Sequence, residues 1–157
     1  MAEFEELEFL SEYQEDNRIE AKRAQGGLPY SLWETYSSFA NTLGGVILLG
    51  VAEAEDKSLY SVHLPDPETL VEGFWRAVND PKVASVNLLK PSDVEIVKSG
   101  KNRIVVIFVP QAPEELWPVY VEGDPYGGAY YRAGEGDCHI PREIIVRRMR
   151  QRERDTK

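Results

Sequence analysis

The stretch Ser38-Phe39-Ala40-Asn41-Thr42-Leu43-Gly44-Gly45 is followed at once by the apolar run Val46-Ile47-Leu48-Leu49-Gly50-Val51. The first part predicts the end of a helix, because paired glycines tolerate the left-handed backbone that follows a last helical turn. The second part predicts a strand buried on both faces, since its apolar residues are continuous and do not alternate. The rest of the chain is arranged around this helix-to-strand turn.

Segments with the periodicities of helices and strands surround this centre. Ser31 and Glu34 have the spacing of a capping box, which predicts the start of the central helix, and its apolar stripe is Leu32, Tyr36, Phe39, Ala40 and Leu43. Asp66-Pro67 predicts a second helix. Strands are expected over 17–24, 46–51, 59–64, 93–99, 102–109, 119–121 and 129–132, and a last helix over 141–152. This order predicts a single α+β domain with a mixed or antiparallel sheet flanked by helices.

The composition is that of an ordinary globular domain. The chain has 157 residues, of which 42% are hydrophobic and 10% aromatic, which suffices for one core. The longest apolar run, 44–54, is far shorter than the roughly 20 residues of a membrane span. One cysteine, Cys138, excludes an internal disulfide framework. No export signal is visible, so we expect a cytoplasmic protein without a membrane partner.

The charge is unevenly distributed along the chain. The net charge is −9, and residues 1–20 hold eight acidic residues and one basic residue, whereas residues 142–157 hold seven basic and three acidic ones. We therefore divide the chain into an acidic N-terminal helix or extension, residues 1–14, and a domain over 15–157 with an Arg-rich C-terminal helix. The whole chain repels nucleic acid, but its basic end can present a local basic face.

Five short motifs follow one another along the chain. They are Glu15, Glu20-Ala21-Lys22, Phe39-Ala40-Asn41-Thr42 with Gly44-Gly45, Gly50-Val51 with Glu53, and Tyr130-Tyr131-Arg132-Ala133-Gly134-Glu135-Gly136-Asp137. This pattern resembles the Schlafen-type Alba-like (AlbA_2) domain, and the resemblance runs from about Glu15 to the end. Phe39, Asn41, Gly44, Gly45 and Gly50 match its structural motif.

Three positions depart from the family pattern. Ala21 replaces the usual aromatic, Ser38 replaces the usual alanine or other small residue, and Glu53 stands where aspartate is common. From the residues themselves, we expect Asn41 to cap a turn or to hydrogen-bond a neighbouring strand.

The resemblance implies a nucleic-acid-binding module. Bacterial members are described as DNA-binding domains of transcriptional regulators of the divergent AAA type, and usually continue into an ATP-binding half that this chain does not contain. We expect DNA or RNA as the partner, with no cofactor, and a homo-oligomer as a source of specificity. The residues expected to contact phosphates are Lys22, Arg23, Arg132, Arg142, Arg147 and Arg148. No helix-turn-helix or zinc-finger signature is visible, so we expect weak sequence selectivity.

The resemblance also implies an alternative enzymatic function. In animal Schlafens a related domain cleaves structured RNA with three carboxylates and a divalent metal, and the matching positions here are Glu15, Glu20 and Glu53. Mg²⁺ or Mn²⁺ would bind these hard oxygen ligands, and Lys22 would offset charge on the phosphate. Carboxylates on a solvated strand face also occur for solubility alone.

The third hypothesis is a protein-interaction or assembly domain, in which the acidic N-terminal segment is the contact surface. A nucleotide P-loop is not favoured, because no Lys-Ser/Thr pair follows Gly44-Gly45. A nucleophilic hydrolase is not favoured either, because Cys138 has no evident activating base.

Overall fold

The computed structural model describes Leu10 and residues 15–156. The predicted N-terminal extension therefore lies outside the described residues, apart from Leu10. The elements of the described part are β1 (Ile19–Lys22), α1 (Leu32–Asn41), β2 (Gly45–Leu49), β3 (Val51–Glu53), β4 (Leu59–Ser61), α2 (Pro67–Val78), β5 (Val94–Ser99), β6 (Asn102–Val109), β7 (Tyr130–Ala133), β8 (Gly136–His139) and α3 (Arg142–Asp155).

The main sheet has four strands in the order β1-β2-β6-β5. The edge strand β1 runs parallel to β2, while β6 is antiparallel to both β2 and β5. Two separate antiparallel hairpins, β3–β4 and β7–β8, complete the strand structure of the described residues. The predicted fold class, one α+β domain with mixed and antiparallel sheets flanked by helices, is confirmed.

The central strands β2 and β6 are buried on both faces of the sheet. Ile47 and Ile107 are cross-strand partners and belong to the core that packs under α1 and α2. Leu48 and Val106 are also partners, but they belong to a second core on the opposite face, which includes Leu10. The continuous apolar run therefore reports double-sided burial, as its pattern predicts.

The predicted strand over 46–51 is wrong at one position, Gly50. The backbone of Gly50 has a φ of +87°, a left-handed conformation that glycine adopts without steric cost. The chain bends there, so β2 ends at Leu49 and β3 begins at Val51 in a different sheet. A Cβ on Gly50 would lie 2.7 Å from the Leu64 side chain. This bend carries Glu53 out of the main sheet.

The predicted capping box at the start of α1 is also wrong. The Ser31 hydroxyl makes no capping hydrogen bond and instead accepts one from Lys22 Nζ at 3.0 Å. The Glu34 carboxylate accepts from the Tyr130 hydroxyl at 3.3 Å. Both side chains are therefore used in contacts with other elements.

The C-terminal end of α1 is set by two glycines, as predicted. Gly44 has a φ of +75°, and a Cβ on Gly45 would lie 2.7 Å from the Phe39 ring. The helix ends at Asn41, so Leu43 falls beyond it and is 50% exposed. The prediction that Leu43 continues the apolar stripe is therefore wrong.

Of the remaining elements, α2 begins as the sequence predicts, whereas the strand predicted over 119–121 is not formed and β8 was not predicted. Asp66 caps α2, because its carboxylate accepts from the Thr69 backbone N–H at 3.1 Å. Residues 119–121 form only isolated bridges, with Ala84 pairing to Val121 and Tyr120 to Ala129, so the strand predicted there is not formed. None of the helices in the described part of the chain has the length and apolarity that crossing a membrane requires.

Candidate functional site

Carboxylates from three parts of the chain meet beside β1. Glu15 precedes the edge strand, and its Oε2 accepts a hydrogen bond from the Ala21 backbone N–H at 2.8 Å. This contact satisfies a donor that an edge strand would otherwise leave unpaired. Glu53 ends β3 and Glu135 lies in the β7–β8 turn. One carboxylate oxygen from each of the three lies within 4.8 Å of those from the other two.

Glu53 has a buried oxygen without a partner. Its Oε2 is inaccessible and makes no hydrogen bond with the described residues, whereas its Oε1 lies 3.6 Å from Lys57 Nζ. A buried carboxylate oxygen without a donor is unfavourable. A cation or a donor supplied from outside would relieve this cost.

Glu20 lies beside this cluster but is paired with cations. Its Oε1 accepts from Arg132 Nη2 at 2.8 Å, and its Oε2 lies 3.8 Å from Lys22 Nζ. The structure thus brings two members of the predicted trio, Glu15 and Glu53, together with Glu135. The third member, Glu20, lies next to Glu15 but forms its ion pairs with Arg132 and Lys22. The four residues Glu15, Glu20, Glu53 and Glu135 are called the carboxylate cluster below.

Glu135 was missed as a candidate ligand. It stands inside the motif Gly134-Glu135-Gly136-Asp137 that carries part of the family resemblance. The hairpin β7–β8 brings it to Glu15 across more than a hundred residues of sequence, a distance that local periodicity does not bridge. Its position within that motif was the available signal.

The cluster changes the acidity of Glu15. Burial, together with the negative charges of Glu20 and Glu53, raises the pKa of Glu15 from 4.5 to about 7, against the opposing hydrogen bond from Ala21. Proximity of like charges disfavours ionising all members together. The cluster thus favours a bound proton or a bound cation.

This raised pKa predicts how stability depends on pH. The folded state holds a proton on Glu15 up to about pH 7, whereas the unfolded state releases it near 4.5. The contribution of this raised pKa to the free energy of unfolding is therefore fully present below pH 4.5, and it is lost as the pH rises through 7. We expect Glu15→Gln to gain stability relative to the parent between about pH 5 and pH 8, as measured by urea unfolding in EDTA. A stability difference that is the same at both pH values would contradict the raised pKa.

Arg132 is a buried residue that connects separate parts of the domain. Its side chain is 0% exposed. It donates to the carboxylates of Glu20 and Asp137, both at 2.8 Å. It also donates to the backbone carbonyls of Asp16 and Ile19. We predicted a phosphate contact for Arg132, but its guanidinium is enclosed by protein groups, and it fastens β7 and β8 to the segment that carries Glu15 and Glu20.

Asp137 explains one departure from the family pattern. Its carboxylate accepts from Arg132, from the Thr35 hydroxyl at 2.7 Å and from the Ser38 hydroxyl at 2.5 Å. The hydroxyl at position 38, where the family usually has alanine or another small residue, thus has a partner in β8. These bonds attach the hairpin that carries Glu135 to α1.

Asn41 joins α1 to two irregular or extended segments. Its Nδ2 donates to the carbonyls of Val119 and Tyr130 at 2.8 and 3.0 Å, and its Oδ1 accepts from the Val119 N–H at 2.7 Å. This is the interaction with a neighbouring segment that the sequence predicts for Asn41.

The arginines of α3 divide between two faces. On the inner face, Arg148 pairs with Glu114 and lies 3.9 Å above the Trp117 ring. Arg152 donates to the carbonyls of Glu114 and Trp117 at 2.7 and 2.6 Å. These two residues dock α3 onto the domain, so Arg148, predicted as a phosphate contact, already has a protein partner.

The outer face of α3 is basic and exposed. Arg147 and Arg150 are exposed and form no hydrogen bond or ion pair with a described residue, while Arg154 is exposed and donates a hydrogen bond to Gln151 of the same helix. Arg142 lies 4.4 Å from the Tyr126 ring, at the start of the helix. Arg142, Arg147, Arg150 and Arg154 border one shallow surface depression together with Glu143 and Val146. These four arginines are called the α3 arginine face below.

The other two predicted cationic contacts lie near β1. The Lys22 ammonium is largely enclosed between Glu20 and Ser31. Arg23 is exposed and donates to the Tyr60 hydroxyl at 3.1 Å. Lys22 thus borders the carboxylate cluster, and Arg23 follows it at the end of β1.

The fold and the site define an α+β domain in which a carboxylate cluster borders an edge strand. A sequence model of the family described as Schlafen, AlbA_2 matches residues 3–141, and the chain belongs to this family. A comparison with curated proteins finds no match.

The solved structures that are similar to the chain include the following two. One is the N-terminal domain of a RecG-related protein from Nitrosomonas europaea, named for its relation to an ATP-dependent DNA helicase. It is 32% identical, with a TM-score of 0.61, and the match covers 85% of this chain and 90% of that one. The other is the DIP2311 protein from Corynebacterium diphtheriae, at 19% identity and a TM-score of 0.53. That match covers 85% of this chain and 24% of the other, and it shows the fold alone.

Proposed function

We propose that this domain is a nucleic-acid-binding module, acting on DNA as part of a transcriptional regulator, and that the α3 arginine face is its contact surface. The observation that carries this proposal is the division of arginines on α3. Arg148 and Arg152 contact the rest of the domain and hold the helix in place. Arg147 and Arg150 are exposed and pair with no described residue, so they are available to a ligand. Family membership and the RecG-related relative support the same class of ligand.

A basic face of this kind binds the phosphate backbone. Arginine forms bidentate contacts with phosphate oxygens, and such contacts give affinity without sequence information. The net charge of −9 opposes binding at long range. Salt screens this long-range repulsion, since the Debye length is about 10 Å at 0.1 M ionic strength. Direct arginine–phosphate contacts release counterions, so added salt weakens them. We therefore expect a moderate affinity that falls as the salt concentration rises.

The test is a fluorescence-anisotropy titration of labelled duplex DNA and hairpin RNA at several salt concentrations. We expect the double variant Arg147→Ala/Arg150→Ala to weaken binding and to reduce the salt slope by about 2, since each lost phosphate contact removes roughly one counterion. Arg76→Ala is the control for the loss of one charge, because Arg76 is an exposed arginine on α2, and the effects are compared per arginine removed. Equal weakening by both changes would contradict a specific role for α3.

A second function, divalent-metal-dependent cleavage of RNA, is favoured by the carboxylate cluster. The donor set fits the metal: Glu15, Glu53 and Glu135 offer hard oxygens close to one another, and Glu53 Oε2 lacks a donor. These three residues would hold Mg²⁺ or Mn²⁺, with Glu20 beside them. A bound cation of this kind polarises a phosphate and lowers the pKa of a coordinated water.

The protein groups around the cluster would position and balance these carboxylates. Arg132 fixes the orientation of Glu20 from inside the domain. Lys22, 3.8 Å from Glu20, places a positive charge at the border of the cluster, where it would offset charge on a phosphate oxygen.

Metal dependence can be tested directly. We expect Mn²⁺ to bind, and Glu53→Gln to weaken binding at least tenfold, roughly the effect of losing even an outer-shell partner. If the enzymatic function holds, hairpin RNA is shortened only with Mg²⁺ or Mn²⁺, and Glu20→Gln abolishes the shortening. Calorimetry and denaturing gels give the two readouts, with Glu72→Gln, an exposed position on α2, as control. Cleavage that survives EDTA or Glu20→Gln would exclude this site as its source.

A further inference from the structure

A pocket of about 240 Å³ lies between the start of α1 and the segment at Val121 and Glu122. Its lining includes three aromatic side chains, those of Tyr30, Trp33 and Tyr130, and two carboxylates, those of Glu34 and Glu122. None of the described residues that line it belongs to the carboxylate cluster or to α3. The pocket is therefore a separate feature of the domain.

Each carboxylate is oriented by a tyrosine hydroxyl. Tyr30 donates to Glu122 Oε1 at 3.1 Å, and Tyr130 donates to Glu34 Oε1 at 3.3 Å. Neither Oε2 accepts a hydrogen bond from a described residue, so each carboxylate keeps one oxygen available. Tyr30 is 80% exposed, so its ring is accessible to a ligand.

Each of the two tyrosine hydroxyls lies beside a carboxylate. The hydrogen bond to Glu122 and its charge raise the pKa of Tyr30. Burial, followed by the charge of Glu34, raises the pKa of Tyr130. Lys82 also lines the pocket, but it is exposed and forms no salt bridge with Glu34 or Glu122 among the described residues. Two carboxylates are thus opposed by a single unpaired lysine.

The backbone holds Glu122 in place for this role. Its φ of +57° is left-handed, which is uncommon for a residue with a side chain. Its N–H donates to the Val83 carbonyl at 3.3 Å, and Val83 itself lines the pocket. The adjacent bridge between Ala84 and Val121 fixes the same wall.

We propose that this pocket binds a small organic cation, an ammonium or guanidinium group that sits among the aromatic rings and is neutralised by Glu34 and Glu122. Aromatic faces attract such cations through the ring quadrupole, and charged hydrogen bonds to carboxylates add direction. The pocket volume fits a compact aliphatic amine or the end of an arginine side chain.

The test is calorimetric titration of the intact chain with putrescine, with 1,4-butanediol as its neutral counterpart of equal length, and with a blocked Gly-Arg-Gly peptide. We expect saturable binding of putrescine or the peptide and none of the diol. Tighter putrescine binding assigns the pocket to free amines, and tighter peptide binding assigns it to an arginine of another protein. Saturable binding of the diol, or no binding of either cation, would overturn the proposal.

Substitutions at the pocket provide the second readout. Glu122 is exposed, so Glu122→Gln preserves the fold, and we expect it to weaken cation binding about tenfold, as for loss of one charged hydrogen bond. Tyr30→Ala is expected to weaken it about threefold through loss of a cation–π contact. Glu72→Gln carries the same charge change on an exposed α2 position outside the pocket and should leave affinity unchanged. Affinity unchanged in Glu122→Gln would overturn the proposal.

Discussion

Arg132→Met is expected to lower the free energy of unfolding by about 3–5 kcal/mol, the usual cost of removing one partner from a buried ion pair. Methionine fills a similar length but leaves the carboxylates of Glu20 and Asp137 without their cation, and the Asp16 carbonyl without its donor. Because a domain is stable by only about 5–15 kcal/mol, this loss is a large share of the total. Urea unfolding monitored by tryptophan fluorescence measures it.

Two further variants separate the causes of this loss. Arg132→Lys keeps the charge but loses the planar fork that reaches Glu20 and Asp137 together, so it should fall between the parent and Arg132→Met. Arg76→Met removes an exposed arginine from α2 and should change stability by less than about 0.5 kcal/mol. A cost for Arg132→Met no larger than that of Arg76→Met would show that the buried network does not stabilise the fold.

Asn41→Ala is expected to cost about 2–4 kcal/mol, because two backbone groups lose their partner and each buried unsatisfied group costs about 1–3 kcal/mol. These groups are the N–H of Val119 and the carbonyl of Tyr130, whereas the Val119 carbonyl keeps the hydrogen bond that the Ser37 hydroxyl donates at 2.7 Å. The loss would loosen the attachment of both segments to α1. Thermal or urea unfolding gives the magnitude.

Asn79→Ala is the matched control for Asn41. The Asn79 side chain donates to the Trp75 carbonyl and accepts from Asn87, but it lies at an exposed helix end, where water can replace both bonds. We expect a cost below about 1 kcal/mol there. Similar losses for the two alanine variants would argue against a special role for the Asn41 bridge.

The elements of the fold could be predicted wherever a local pattern determines them. The double-sided burial of Ile47 and Leu48 follows from an uninterrupted apolar run, and the end of α1 follows from Gly44 and Gly45. The bend at Gly50 could not be predicted in the same way, because a single glycine within an apolar run is compatible with a continuous strand. Tertiary contacts override local rules at Ser31, whose hydroxyl binds Lys22 and not its own helix.

The residues of the candidate site could likewise be predicted only in part. Glu15, Glu20 and Glu53 were nominated by resemblance to a family. The structure places the carboxylates of Glu15 and Glu53 close together, with Glu20 beside Glu15. Glu135 joins them only through the β7–β8 hairpin, a long-range contact without a periodic signal. The burial of Arg132 was equally hidden, since arginines on a short strand most often face solvent. The spacing of the arginines along α3 likewise did not distinguish Arg148 and Arg152, which contact the rest of the domain, from those that pair with no described residue.

The central claim is that the domain binds nucleic acid through α3. The most direct measurement is the anisotropy titration of duplex DNA and hairpin RNA at low and moderate salt, with and without Mn²⁺, each endpoint being run on a denaturing gel. We expect binding that weakens steeply as salt is added. The double variant Arg147→Ala/Arg150→Ala should reduce this binding, and Arg76→Ala should not. No binding of either probe at low salt would contradict it.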